Sequence, residues 1–358
     1  MYSAFAPGRV ELLGNHTDYN EGVVLSAALD LGITVKGTRR EDGKIVLGSD
    51  EMEGTIESHW DALAQTKTWA DYPLGVAKML EEAHKKIQGF DAHFSSTLPT
   101  GAGLSSSAAI EVATGVFLKD LFGFEITPLD LAKACRRAEN EFVGVNCGLL
   151  DQVSSIFGRA NHAIFLDCRA ETVDTIRFPD GVSLLIIHSG VRHALTGGEY
   201  NERREQCFEA AAKMGAKALR DVTSAQLEAA DLPDLVKRRA AHVVGENERV
   251  FQALEFLKKG DAEGFGRLMK ESHKSSRFNF ENSTEELDAL VEIASKQPGV
   301  FGARLTGGGF GGAIVSLVDS SKIDEAAHAI TSEYHKTTGN DGKAYQCAIG
   351  NGALAAHP

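Results

Sequence analysis

The chain has 358 residues, 43% hydrophobic and 24% charged, and its 37 basic and 50 acidic residues leave a net charge of −13. That length suits two domains better than one core, and the balance is that of a globular protein of the cytoplasm. The charge excludes nucleic acid as a general partner, and no uninterrupted apolar run reaches the roughly eighteen residues of a membrane span.

Residues 1–8 carry no basic stretch followed by an apolar run, so no signal peptide is expected. Five cysteines, Cys135, Cys147, Cys168, Cys207 and Cys347, are scattered and form no CxxC pair. That speaks against a disulfide framework or a zinc site and for a reducing compartment. Along the chain, residues 22–31, 33–37 and 44–47 read as strands. Residues 72–88 have helical spacing, and 90–97 alternate like a strand. A long, mostly apolar helix is expected at 105–122 and another at 128–141, opened by Thr127-Pro128. The apolar runs 163–167 and 182–189 predict buried strands. Beyond residue 190 come charged amphipathic helices at 200–214, one or two across 234–259, and 283–295. Strands at 303–306, 313–318 and 344–349 surround a last helix. Strand clusters and helix clusters without strict alternation predict an α+β fold, divided into domains 1–188 and 189–358.

With the overall field repelling anions, a phosphate ligand needs a local device, and two glycine-rich runs offer one. The first, Pro99-Thr-Gly-Ala-Gly-Leu-Ser-Ser-Ser-Ala-Ala109, follows a strand and opens the longest apolar helix. Gly101 and Gly103 let the backbone approach an anion, helix N–H groups point at it, and Ser105, Ser106 and Ser107 add hydroxyls. It is neither a Walker A loop nor a dinucleotide fingerprint. An ordinary serine-capped turn is the other reading. The second run, Leu305-Thr-Gly-Gly-Gly-Phe-Gly-Gly-Ala313, has five glycines in six positions, which a bulge or turn alone does not require. A third segment, 7–20, gathers Arg9, His16 and Asp18 on a constrained loop beside a short strand, a set that suits a polyhydroxylated ligand. In a fourth, 139–152, Asp151 lies among Leu149, Leu150 and Val153. A buried carboxylate needs a partner, and Arg9 is the candidate; a helix-cap aspartate is the alternative.

Together these segments resemble the GHMP family of small-molecule kinases, and within it the branch that phosphorylates galactose. The resemblance extends through Trp69-Ala-Asp-Tyr72, Cys147-Gly-Leu-Leu-Asp-Gln152, Phe165-Leu-Asp-Cys-Arg169, Val191-Arg-His and Phe265-Gly-Arg-Leu-Met269, nearly the whole chain. It implies a two-domain GHMP kinase fold with the active site in the interdomain cleft. Gly101, Ala102, Gly103, Leu104, Ser105, Ser106 and Ser107 would wrap the ATP phosphates, with Trp69 near the adenine. Ser106 or Ser107, with Glu139, would hold Mg²⁺. Asp151 matches the catalytic base and Arg9 its partner, while His16, Asp18, Gly148 and Tyr200 match sugar contacts. The implied chemistry is direct in-line transfer from ATP to the sugar's C1 hydroxyl without a phosphoenzyme, which rests on positioning and charge neutralisation. The partners implied are the sugar and ATP, acting on a cytoplasmic monomer.

Three positions depart from that branch. Asn15 stands where a Glu usually contacts the sugar near C6, Glu11 where an Asn is usual, and residues 278–282 differ from an acidic run. Asparagine removes a charge and adds a donor, which keeps galacturonate, an N-acetylhexosamine or another sugar open as acceptor. A sensor of that branch that binds sugar and ATP without turnover is the alternative of a different class, and the intact serine loop and Asp151 speak against it.

Overall fold

In the computed structural model, which describes residues 1–99, 101, 103–191 and 198–354, the chain opens with a long hairpin. Strand β1 (Tyr2–Leu13) lies antiparallel to β2 (Val23–Arg39). Sequence suggests two strands at 22–37 and only a short one within 7–20. Instead one continuous β2 forms, because a register shift between Pro7 and Arg9 bends β1 opposite Gly32 without ending the pairing. The glycine marks the bend, not a turn.

Strands β3 (Lys44–Ser49) and β4 (Thr55–His59) follow, then helix α1 (Asp71–His84) and strand β5 (Phe90–Ser96). The crossover through α1 lets β5 run parallel to β3, while the other neighbouring strands of this sheet pair antiparallel among the described residues. Next come helices α2 (Ser106–Phe122), α3 (Pro128–Arg137) and α4 (Leu150–Phe157), and strands β6 (His162–Asp167) and β7 (Thr172–Arg177). The sheet order is β4-β3-β5-β2-β6-β7, with β1 on β2. Helix α2 is apolar almost all round and is buried between β1, β2 and α1. Thr127 caps α3 by accepting from the Asp130 N–H, with Pro128 in the first turn, as the dipeptide predicts. The α-helix stops at Arg137, short of the expected Glu141. There the chain widens into a π-helical turn, Ala138–Val143, a geometry frequent at functional sites.

The second half contains β8 (Val182–His188), then helices α5 (Gly198–Lys213), α6 (Ser224–Ala229), α7 (Asp234–Lys259), α8 (Ala262–Ser275) and α9 (Glu285–Ser295). Strands β9 (Val300–Leu305) and β10 (Ala313–Asp319), helix α10 (Ile323–Thr338) and strand β11 (Lys343–Cys347) complete it. The four-stranded sheet has the order β11-β8-β10-β9. A division after residue 188 would separate β8 from this sheet, so the change of sheet lies ahead of Val182. Strand β8 is buried on both faces, which explains its unbroken apolar run. Leu184 and Ile186 join the core of the larger sheet, whereas Leu185 and Ile187 pack with α9 and α10. The shared core sets the two glycine-rich turns facing each other.

Candidate active site

Arg9 leaves β1 at its bulge and meets Asp151 in the first turn of α4. The contact is bidentate, with Nε to Oδ1 at 2.8 Å and Nη2 to Oδ2 at 2.8 Å. The remaining Nη1 donates to the carbonyl of Gly103 at 2.9 Å, and the Ser105 hydroxyl donates to Asp151 Oδ2. Burial alone would lower the Arg9 pKa. The charge of Asp151 and its hydrogen bonds, helped by Glu11 and Glu139, raise it instead. The partner expected for Asp151 is thus in place, and the carboxylate does not serve as a helix cap.

The glycine- and serine-rich loop is tied to this pair. The Arg9 N–H donates to the Leu104 carbonyl at 3.1 Å, and Gly101, Gly103 and Ser105 have left-handed φ of 75°, 70° and 56°. Ala102 lies outside the described residues. A cleft of about 840 Å³ separates Gly101, Gly103, Leu104, Ser105, Ser106 and Ser107 from the second glycine-rich turn. An apolar recess of about 200 Å³ opens beside Ser106 and Ser107, lined by Trp69, Tyr72 and Phe94. Its size and aromatic walls suit a flat heterocycle. The Ser107 hydroxyl lies near Glu139 in the π-helical turn and helps to lower its pKa against burial. Glu139 Oε2 also accepts from Cys147 Sγ at 3.2 Å and from Gln152 Nε2 at 3.0 Å. Gln152 Nε2 reaches Glu111 Oε2 as well, at 3.0 Å. Burial raises the pKa of both glutamates, that of Glu111 well above the usual range. Glu111 and Gln152 escape the sequence reading, although one carboxylate inside the most apolar helix is a visible signal.

Near the Arg9–Asp151 pair, His16, Asp18, Gly148 and Tyr200 converge. The His16 ring lies 5.2 Å from Tyr200 and 4.5 Å from Phe280. Its Nε2 faces the Gly308 carbonyl at 3.0 Å and its Nδ1 the Tyr19 hydroxyl at 2.8 Å. A carbonyl only accepts, so the proton sits on Nε2, and Nδ1 accepts from Tyr19. Burial lowers the His16 pKa to about 4, which keeps the ring neutral. Burial also raises that of Asp18 to about 6. Asp18, Gly148 and Tyr200 line a polar cavity of about 280 Å³.

A Cβ on Gly148 would lie 2.1 Å from Asp18 Oδ2. Gly148→Ala must therefore displace that carboxylate. Its kcat/KM for the acceptor is expected to fall about 100-fold, the usual scale of a misplaced contact, with the KM for ATP unchanged. An unaltered acceptor kcat/KM in steady-state kinetics would remove Asp18 from the site.

Asn15 is placed differently from its neighbours. Its amide is 1% exposed and engaged within the protein. Nδ2 donates to Glu11 Oε1 at 2.9 Å and to the Gly307 carbonyl at 2.8 Å, while Oδ1 accepts from Asn282 Nδ2 at 2.9 Å. Glu11 is paired in turn with Arg304 at 3.1 Å. Glu246 receives the backbone N–H groups of Gly14 and Asn15 at 2.8 and 2.9 Å. Glu11, Asn15 and the segment 278–282, three separate departures in sequence, are joined in one buried network. Arg304 and Glu246 enter it from afar, and no local pattern points to them.

A phosphate loop and a carboxylate–arginine pair, set between these two sheets, place the chain in the GHMP class of small-molecule kinases. Models of the GHMP kinases N terminal domain and of the GHMP kinases C terminal region match residues 71–159 and 253–336. The galactokinase galactose-binding signature matches residues 2–39. Haemophilus influenzae galactokinase is 41% identical over 98% of this chain and 94% of its own. Thermotoga neapolitana galactokinase is 40% identical, covering 92% and 93%. Lactococcus lactis galactokinase, solved in complex with galactose, has a TM-score of 0.94 and 34% identity, covering 98% and 94%. Methanococcus jannaschii mevalonate kinase, at a TM-score of 0.71, 20% identity and 98% coverage of both chains, shares the fold alone. The chain belongs to the galactokinase family.

Proposed function

We propose that the protein transfers the γ-phosphoryl group of ATP to the C1 hydroxyl of galactose, giving α-galactose 1-phosphate by direct in-line displacement. The observation that carries this reading is the bidentate Arg9–Asp151 pair at the mouth of the phosphate loop. Asp151 accepts the proton as the hydroxyl attacks phosphorus, and Arg9 holds its carboxylate in place while facing the phosphate cleft. The adenine occupies the recess at Trp69, and the loop 101–107 receives the phosphates at the N-terminus of α2. Asp18, Gly148 and Tyr200 bind and orient the sugar, with His16 packed against Tyr200 behind them.

Ser107 and Glu139 are the pair suited to Mg²⁺, since the hydroxyl lies near enough to the carboxylate to lower its pKa. Two hard oxygen donors fit an ion that keeps water and phosphate in the rest of its shell. Bound there, Mg²⁺ would neutralise phosphate charge. Among the described residues no helix is long and apolar enough to cross a membrane, and a cytoplasmic monomer is the state we infer.

The test is an ATP-coupled assay over galactose, glucose, galacturonate, galactosamine, N-acetylgalactosamine, mannose and arabinose, with the phosphate position read by NMR. Selective formation of α-galactose 1-phosphate is expected. Brisk turnover of another sugar beside poor use of galactose would replace the acceptor, and no turnover of any would refute the kinase.

A further inference from the structure

The glycine-rich turn 306–312 between β9 and β10 is held from one side only. Asn15 Nδ2 donates to the Gly307 carbonyl at 2.8 Å. Asn282 Nδ2 and His16 Nε2 both meet the Gly308 carbonyl, each at 3.0 Å. In a trans peptide the carbonyl and the following N–H point in opposite directions, and the described residues contain no cis peptide. The N–H groups of Gly308 and Gly309 therefore point away from the acceptor loop, towards the cleft that both residues line. Neither has a hydrogen-bond partner among the described residues. Successive N–H groups in a turn of this kind form an anion cradle.

The hold is stiff. Asn15 and Asn282 are buried, and the Phe310 N–H donates to the Asn282 carbonyl at 2.6 Å. Gly309 has a φ of 80°, and a Cβ there would lie 2.2 Å from that carbonyl.

From this geometry we infer that Asn15 and Asn282 are positioning residues that aim the amides of Gly308 and Gly309 at the phosphoryl group in transfer. The inference rests on the kinase reading above. It assigns Asn15 to phosphate handling through the turn, although Asp18 in the same loop lines the polar cavity. Asn282 is 267 residues away in sequence.

The wild-type protein is assayed first, then Asn282→Ala, with ATP and with ATPγS, whose sulfur accepts N–H hydrogen bonds poorly. The variant should lose about 30-fold in kcat, less than deletion of an oxyanion donor itself. Its KM values for sugar and ATP should move less than about threefold. The ratio of turnover with ATP to that with ATPγS should fall about tenfold, because the discriminating amides are no longer aimed. A merely structural role would leave that ratio unchanged, and an unchanged ratio overturns the inference. Should Asn282→Ala fail to fold, Asn282→Ser, which keeps a small donor, and Asn15→Ala, which frees the turn at Gly307, carry the same expectation. If the wild-type protein phosphorylates no sugar of the panel, the kinase reading fails separately. Binding of ADP with aluminium fluoride then decides the inference. The variants should weaken it about tenfold relative to ADP alone, and equal weakening of the two overturns it.

Discussion

Asp151→Asn is expected to lower kcat by about 10³-fold or more while changing the affinity for ATP less than about threefold, the signature of a lost general base. The amide fills the same space but cannot accept the proton of the attacking hydroxyl. It also places an NH₂ group where one oxygen now receives either Arg9 Nε or Nη2, at 2.8 Å each. One of these bonds is lost, and the guanidinium shifts from the line between carboxylate and phosphate cleft. A factor of 10³ is about 4 kcal/mol of barrier, within reach of base loss and misplacement combined. ATP binding should survive because the recess at Trp69, where we place the adenine, is not lined by Asp151, and the amide keeps the Arg9 N–H to Leu104 carbonyl bond that anchors the loop. Rapid-quench turnover and nucleotide titration separate the two quantities. Turnover near the wild-type rate would leave the pair with a structural role only.

That pair is half legible in the sequence: a buried carboxylate needs a partner and Arg9 is the candidate, but a helix-cap aspartate stands beside it as the alternative and the family resemblance favours the pair. The same reasoning reached α2, α3 and β8, whose patterns are strong over ten or more residues or unbroken in a short run. It failed where local chemistry and tertiary contacts disagree. Gly32 looks like a strand end, yet β2 continues through it because the partner strand bends there. Helix α8 carries Gly264 and Gly266, which weaken its propensity, but Asp261 caps it by accepting from the Gly264 N–H at 2.7 Å. A Cβ at Gly266 would meet the Phe301 carbonyl at 2.4 Å, so close packing on β9 requires the glycine. Strands β4 and β7 lie at sheet edges with half-exposed, mixed sequences. The network around Asn15 was illegible for another reason. Its members, Glu11, Arg304, Glu246 and Asn282, are brought together by the packing of two sheets and α7, and no periodicity encodes a contact 231 to 293 residues away.

The network sets the second large expectation. Arg304 is fully buried on β9, and its Nη1 lies 3.1 Å from Glu11 Oε1. Burial already raises the Glu11 pKa, and the charges of Arg304 and Arg9 oppose that rise. Arg304→Met removes the nearer cation from a carboxylate that water cannot reach. The expected loss is about 3–5 kcal/mol of unfolding free energy at neutral pH, the usual consequence of orphaning a buried charge. Glu246 keeps Arg249 at 2.7 Å, so the damage centres on Glu11. The sign of the pH dependence follows. Without Arg304 the folded-state pKa of Glu11 climbs further above its unfolded value near 4.5. The folded protein then binds that proton more tightly than the unfolded chain does. The deficit should be full above the raised pKa and shrink as pH falls towards 4.5. Adding Glu11→Gln to Arg304→Met should recover part of the loss at neutral pH and flatten this dependence. By the same reasoning Asn15→Glu alone sets a second carboxylate against Glu11 and removes the donor to Gly307. The exchange Glu11→Asn with Asn15→Glu restores a single acid near Arg304 and should be the more stable of the two, with a coupling of about 0.5–3 kcal/mol. Denaturant titrations of these variants across pH 4.5 to 8 measure all of it. A loss in Arg304→Met that does not change with pH would mean that Glu11 is not the group left unpaired.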